Sequence, residues 1–215
     1  ITLGEAKKNI FPEIKNLNSI GNILPRWSVH QGVAVFVQRL KSPKIEDVCS
    51  NNVPDPNIVI VLDQVTDPHN LGAIIRSAAA FGARAVIIQD RHSPLESGLL
   101  AKVSSGGIEN LPLIRTVNLS RALRKLAELG YWRIALQPDA SEVLNATNNK
   151  QPVALILGSE GKGIRRSTLV NCDLTAKLNI LHKGPESLNV SVATSVALYE
   201  YVRGYSMKSN SKLEK

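Results

Sequence analysis

Ile58-Val59-Ile60-Val61-Leu62 constrains this chain more than any other stretch. The run is β-branched apart from its last residue, and no polar residue alternates with the apolar ones. A strand built from it has two faces that both avoid water. Such strands lie in parallel sheets covered by helices on either side. The residues that follow keep that rhythm. Leu71–Phe81 is apolar at Leu71, Ile74, Ile75, Ala78 and Phe81, the spacing of one helix face, and Gly82 stops it. Ala85-Val86-Ile87-Ile88 predicts the next strand. Pro94–Val103 reads as a helix ended by Ser104-Ser105-Gly106-Gly107. Asn118–Leu129 is an amphipathic helix with Asn118 or Ser120 as its cap and Gly130 as its stop. Trp132–Leu136, Val153–Leu157 and Leu174–Ile180 predict three further strands, and Val190–Val202 a closing helix. The expectation is an α/β fold, a mostly parallel sheet flanked by helices.

The residues before this pattern differ. Pro12, Pro25 and Pro43 interrupt residues 1–52, and Val33-Ala34-Val35-Phe36-Val37 is the one convincing strand there. Residues 41–56 are polar and Pro-rich and read as a linker. The α/β pattern then fills 57–205, and the polar residues 206–215 read as a flexible tail. The chain opens ITLGEAKKNI without Met, as a piece cut from a longer protein would.

Composition narrows the partners. A net charge of +8 and a pI of about 9.6 favour a polyanion, because surface Lys and Arg displace counterions from phosphates. A generic basic surface is the alternative. No apolar run approaches the ~20 residues that cross a bilayer, and no signal peptide opens the chain. The two cysteines, Cys49 and Cys172, lack CxxC spacing, and the four histidines form no HExxH cluster. These features predict a reduced, cytoplasmic setting with no metal and no membrane.

Three polar stretches stand at the predicted strand ends or helix starts. In Asp63–Ala78, Asn70 lies at the helix entry and either caps it or points into the cleft above the sheet. Arg76 follows about 1.7 turns later. It either grips an anion with its planar fork or pairs with Asp63 or Asp67. The loop Gly158-Ser159-Glu160-Gly161-Lys162-Gly163 lacks the GxxxxGK[ST] spacing of a phosphate loop, and Glu160 would repel phosphate. It reads either as a site for a cationic or hydroxyl-rich ligand or as a tight turn with an exposed Glu. In Glu186–Ala193, Ser187 or Asn189 caps the last helix or forms the rim of a small-ligand site. No G-x-S-x-G elbow supports a serine hydrolase.

Together, DPHNLGAIIRSA, LGSEGKGI and SLNVSVATSVALYE resemble, in order and spacing, the three motifs of the SpoU/TrmH family of RNA ribose 2′-O-methyltransferases. The resemblance spans residues 58–203. DRHSPLESGLLAKVSSGGIENLPL looks like the connecting region of the 23S rRNA guanosine branch. Val29-His30-Gln31-Gly32 resembles the point where that branch leaves an L30-like substrate domain, so residues 1–40 look like the end of that domain. The resemblance implies a deep trefoil knot, an exception to the rule against knots. It also implies S-adenosylmethionine as cofactor and a homodimer, with Val190–Val202 as the threaded end and a dimer face.

Carried over residue by residue, Arg76 matches the catalytic arginine and Asn70 the asparagine that positions it. Glu160, Ser187 and Asn189 match the polar residues that face cofactor and ribose. Gly158, Leu178 and Leu188, with Ile180 close by, match positions that hold the adenosyl part. Many relatives have Ile-Pro-Met where this chain has Leu178-Asn179-Ile180, and the loop His182–Glu186 is one residue longer than in some and carries Pro185. The expected substrate is RNA, a guanosine of 23S rRNA first. A tRNA methyltransferase of the same fold and an inactive knotted RNA-binding protein are the alternatives.

Overall fold

The computed structural model describes residues 11–25, 28–38, 40–50, 57–90, 98–145, 151–181 and 187–210, with side chains to Arg203. The chain divides into two compact units, Ile1–Arg39 and Leu40–Lys215. In the first unit, α1 (Leu17–Ile23) is capped by Asn16, whose side chain accepts from Ser19 N–H at 2.8 Å. The strand expected at Val33–Val37 does not form among the described residues. Val33, Val35, Phe36 and Val37 are all exposed. An apolar, β-branched run becomes a strand only where another strand accepts its backbone hydrogen bonds, and no described residue of this unit offers one.

The second unit is built on a seven-stranded sheet in the order β3-β2-β1-β6-β4-β7-β5. Its strands are β1 (Ile58–Asp63), β2 (Ala85–Gln89), β3 (Leu113–Thr116), β4 (Trp132–Leu136), β5 (Glu142–Val143), β6 (Val153–Gly158) and β7 (Leu174–Lys177). Every strand pairing is parallel. The helices are α2 (Ile45–Val48), α3 (Pro68–Ala80), α4 (Gly98–Ser104), α5 (Gly107–Asn110), α6 (Leu119–Glu128), α7 (Arg166–Leu169) and α8 (Val190–Asn210). The α/β, mostly parallel fold is therefore as expected.

The continuous apolar runs have the expected cause. Ile58, Ile60 and Leu62 belong to a core under α3 and α8, together with Leu71, Ile74, Ile75 and Leu198. Val59 and Val61 belong to the core on the opposite face, with Leu119, Leu123 and Leu126 of α6. Asn118 caps α6 by accepting from Arg121 N–H at 3.0 Å.

Several boundaries differ from expectation. Leu174–Ile180 is strand only to Lys177, since the backbone leaves the sheet where it begins to line a cavity. Helix α3 starts at Pro68, earlier than Leu71, because Asp67 caps it and proline suits the first helical position. The part of the predicted 94–103 helix before Gly98 lies outside the described residues, and the helix resumes at Gly107 after Gly106 (φ 84°). Helix α8 continues past Val202 to Asn210, so residues 206–210 of the expected flexible tail are helical. Polar side chains do not end a helix; proline does, and none occurs there. Within the expected linker, α2 belongs to the second unit and packs into it: Cys49 is fully buried and Val48 carbonyl accepts from Arg84 at 2.6 Å. Its residues 51–56 lie outside the described residues.

Leu155, fully buried at the middle of the sheet, and Val143, 47% exposed on its edge, make a direct comparison. Leu155→Ala is expected to cost about 3 kcal/mol in urea unfolding and Val143→Ala less than about 1 kcal/mol. Equal losses would contradict this assignment of the core.

Candidate active site

The site begins with the neighbours β1 and β6. They pair along their whole length, from Ile58–Val153 to Asp63–Gly158. From β1 the chain moves on to β2 on one side; from β6 it moves on to β7 on the other. Connections that diverge in this way leave a crevice beyond the carboxyl ends of the strands.

Gly158 is required at the crevice floor. A Cβ there would lie 2.1 Å from the carbonyl carbon of Gly163 and 2.4 Å from Ile164 nitrogen, both backbone atoms. The loop folds back on itself, Gly163 N–H donating to Ser159 carbonyl at 2.9 Å. Gly161 (φ 87°) and Gly163 (φ 63°) take the left-handed backbone that this return needs.

Beside the loop lies a cavity of about 810 Å³. Gly158, Glu160, Leu178, Ile180, Ser187, Leu188 and Asn189 all line it. Seven of the nine residues singled out in the sequence thus meet in one place. Leu136, the last residue of β4, and Gln137 and Pro138 just beyond it form a further wall that the sequence reading missed. The signal was present: a proline-containing polar loop directly after a predicted strand. Lys177 and Asn179 also line the cavity.

Asn70 does not line it but joins it through hydrogen bonds. Its Nδ2 donates to Glu160 Oε1 at 3.2 Å. Asn189 Nδ2 donates to Asn70 Oδ1 at 2.9 Å and also to Glu160 Oε1. Val190 N–H reaches the same carboxylate oxygen at 3.4 Å. The negative charge of Glu160 thus stands at the amino end of the long helix α8, where the helix dipole favours it. Asn189 Oδ1 accepts from Ser191 N–H at 2.9 Å and Ser191 Oγ at 2.6 Å, so Asn189, not Ser187, caps α8. Asn70 is no cap, because Asp67 takes His69 N–H at 3.1 Å and Asn70 N–H at 3.3 Å. Among the described residues Glu160 Oε2 has no partner, which leaves a carboxylate oxygen to accept from a ligand hydroxyl or ammonium.

Arg76 lies outside the cavity lining, exposed on α3. Among the described residues it has no hydrogen-bond or ion-pair partner. The alternative in which it pairs with Asp63 or Asp67 is not realised. Its backbone is held from behind: a Cβ on Gly107 would stand 3.2 Å from Arg76 Cα. A charged fork in water on a backbone packed from behind is suited to receiving an anion.

Asp63 has another partner. Its carboxylate is fully buried and accepts from Arg165 Nε at 2.8 Å, Arg165 N–H at 3.0 Å and Thr168 Oγ1 at 2.7 Å. Arg165 also donates to Gln89 Oε1 at 2.7 Å. The two cysteines take no part in this chemistry. Burial pushes the Cys49 thiol up to about 11 and the Cys172 thiol up to about 12, so both remain protonated near neutral pH. Among the described residues no group of three or more His, Cys, Asp or Glu could hold a metal, and no helix is long and apolar enough to cross a membrane.

Residues 57–199 match the SpoU rRNA Methylase family. The 23S rRNA (guanosine-2'-O-)-methyltransferase RlmB of Ralstonia nicotianae is 42% identical over 174 residues, 81% of this chain and 70% of that relative. The enzyme of the same name from Nitrosomonas europaea is 38% identical over 184 residues, 86% of this chain and 70% of the relative. Among solved structures, the SpoU methyltransferase AviRb from Streptomyces viridochromogenes in complex with AdoMet is similar with a TM-score of 0.63 at 25% identity. That match covers 71% of this chain and 59%, less than two thirds, of the solved one.

Gly158→Ala is expected to lower stability by about 2 kcal/mol, since backbone on both sides of the new methyl must move. Thermal unfolding measures this, and a wild-type melting temperature would show that the loop is looser than its contacts indicate.

Proposed function

Because the chain belongs to the SpoU rRNA Methylase family, we propose that it methylates the ribose 2′-hydroxyl of a guanosine in 23S rRNA, using S-adenosylmethionine. The observation that carries this reading is the convergence of Asn70, Glu160 and Asn189 at the mouth of a cavity lined by Gly158, Leu178, Ile180, Ser187 and Leu188. The cavity is large enough for a nucleoside with an amino-acid tail, within the ~300–1,000 Å³ of ordinary ligand sites.

When bound, S-adenosylmethionine supplies an electrophilic methyl on a sulfonium. The chain must supply alignment and charge. The missing side chain at Gly158 brings backbone against the ligand, while Leu178, Ile180 and Leu188 exclude water from its apolar surface. Glu160, fixed by two asparagines, offers its remaining oxygen to a hydroxyl or ammonium. The 2′-hydroxyl that takes the methyl would release its proton to solvent water, the methyl's bond to sulfur breaking as its bond to oxygen forms. The guanidinium of Arg76 has donors only and no acceptor, so its role is to hold the neighbouring phosphate and stabilise negative charge growing on the oxygen.

The reading extends to the rest of the molecule. Residues 1–40 serve RNA binding, the C-terminal part of the second unit is a trefoil knot, and the reaction is cytoplasmic. The net charge of +8 supports a polyanionic partner. The protein works as a homodimer through α8, whose exposed Val192, Val196 and Tyr199 form one stripe.

Calorimetric titration tests the reading: S-adenosylmethionine is expected to bind, and the absence of heat at millimolar ligand would overturn it. Arg76→Lys keeps the charge but loses the fork, so kcat is expected to fall at least ~30-fold with S-adenosylmethionine binding unchanged. A kcat near wild type would refute the role given to Arg76. Val196→Glu is expected to convert dimer to monomer in sedimentation velocity; an unchanged dimer would move the interface elsewhere.

A further inference from the structure

Asp63 is a carboxylate with no exposure, and such a group costs several kcal/mol unless it is paired and hydrogen-bonded. Here it is fully occupied, and its donors all come from one short segment. Arg165 gives its backbone N–H and its guanidinium, and Thr168 gives its hydroxyl. The same Asp63 is the register partner of Gly158. The loop between Gly158 and Arg165 is therefore tied to one residue at both ends, by sheet pairing at its start and by the ion pair at its finish. Between those ties the Ser159–Gly163 bridge closes it further. Gln89 at the end of β2 accepts from the same guanidinium nitrogen that faces Asp63, so Arg165 spans the ends of β1 and β2.

Asp63 also governs the other half of the site. Gln64, the next residue, has φ 62°, a left-handed conformation rare for a residue with a side chain. That turn directs the chain from β1 to Asp67 and α3, which carry Asn70 and Arg76. A shift of Asp63 would move both the loop that lines the cavity and the helix that completes the polar cluster.

We propose that Asp63, Arg165 and Thr168 are positioning residues whose half-buried ion pair sets the stance of the Gly158–Ile164 loop and, through it, affinity for the cofactor. The inference rests on the methyltransferase reading above. Its members touch neither cavity nor substrate: among the described residues, none of the three lines the cavity. Arg165 and Thr168 hold the loop side of Asp63, so the effect of changing them should fall on cofactor binding and not on the chemical step.

Three variants test this in the full chain. Thr168→Val removes one donor without changing shape. Thr168→Ser restores the hydroxyl. Arg165→Lys keeps the charge but cannot reach Asp63 and Gln89 together. S-adenosylmethionine is titrated by calorimetry, methyl transfer to 23S rRNA is followed at saturating cofactor, and amide exchange is read at Gly161–Ile164 without cofactor. Thr168→Val and Arg165→Lys are expected to raise the cofactor Kd about tenfold, as loss of a supporting contact does elsewhere. Their kcat stays within about twofold of wild type, KM for RNA is unchanged, and exchange in the loop quickens. Thr168→Ser returns Kd and exchange to the wild-type values. Unchanged Kd in both Thr168→Val and Arg165→Lys would overturn the proposal. So would a raised KM for RNA with unchanged cofactor Kd, which would make Arg165 a phosphate contact. If the wild-type chain itself binds no S-adenosylmethionine, the methyltransferase reading fails and takes the cofactor claim with it. Exchange data then tell whether the tie on the loop exists by itself.

Discussion

β1 and β6 lie side by side to their last residues, and the site depends on that pairing. It puts Asp63 next to Gly158 and thereby fixes where two loops leave the sheet. One loop leads into α3 with Asn70, the other carries Glu160. The two residues are 90 apart in sequence, yet they hydrogen-bond across the crevice. Asn189, from a third segment, closes the cluster. Three segments distant in the chain meet because a parallel sheet delivers all its carboxyl ends to one edge.

The energetic division is clear. Stability comes from the two apolar cores, in which each fully buried Leu, Ile or Val side chain contributes roughly 1.5–3 kcal/mol relative to exposure. The polar groups at the strand ends contribute position more than stability. A buried carboxylate is costly to leave unpaired, while its ion pair adds little net free energy, and Asp63 with the half-buried Arg165 fits that pattern. The Asn70–Glu160–Asn189 cluster is exposed to solvent. Its value lies in keeping one carboxylate oriented before a ligand arrives.

Much of this was legible in the sequence. Runs such as Ile58–Leu62 and Val153–Leu157 admit few readings, because an uninterrupted apolar strand needs cover on both faces. The glycine stops at Gly82 and Gly130 were equally readable. Short or polar strands were not: Leu113–Thr116 and Glu142–Val143 are held by their neighbours and have no periodicity of their own. Val33–Val37 failed for the opposite reason, having strand composition without a strand partner among the described residues. At the site, residue types and loop positions pointed to segments that the fold brings together. Partners did not follow from them. The sequence offers Arg76 as a nearby partner for Asp63, but its partner is Arg165, 102 residues away, and only the sheet order brings them together. Asn70 and Asn189 both sit at helix starts, and only the geometry shows that Asn189 caps while Asn70 does not.

The central claim is the transfer of a methyl group to a ribose hydroxyl of ribosomal RNA. The most direct measurement incubates the protein with methyl-labelled S-adenosylmethionine and unmodified 23S rRNA, then digests the RNA to nucleosides and separates them. The account predicts label in 2′-O-methylguanosine, reduced to background when Arg76 is replaced by Lys. Label on a base, label in another nucleoside, or no label in 23S rRNA while tRNA becomes labelled would contradict it.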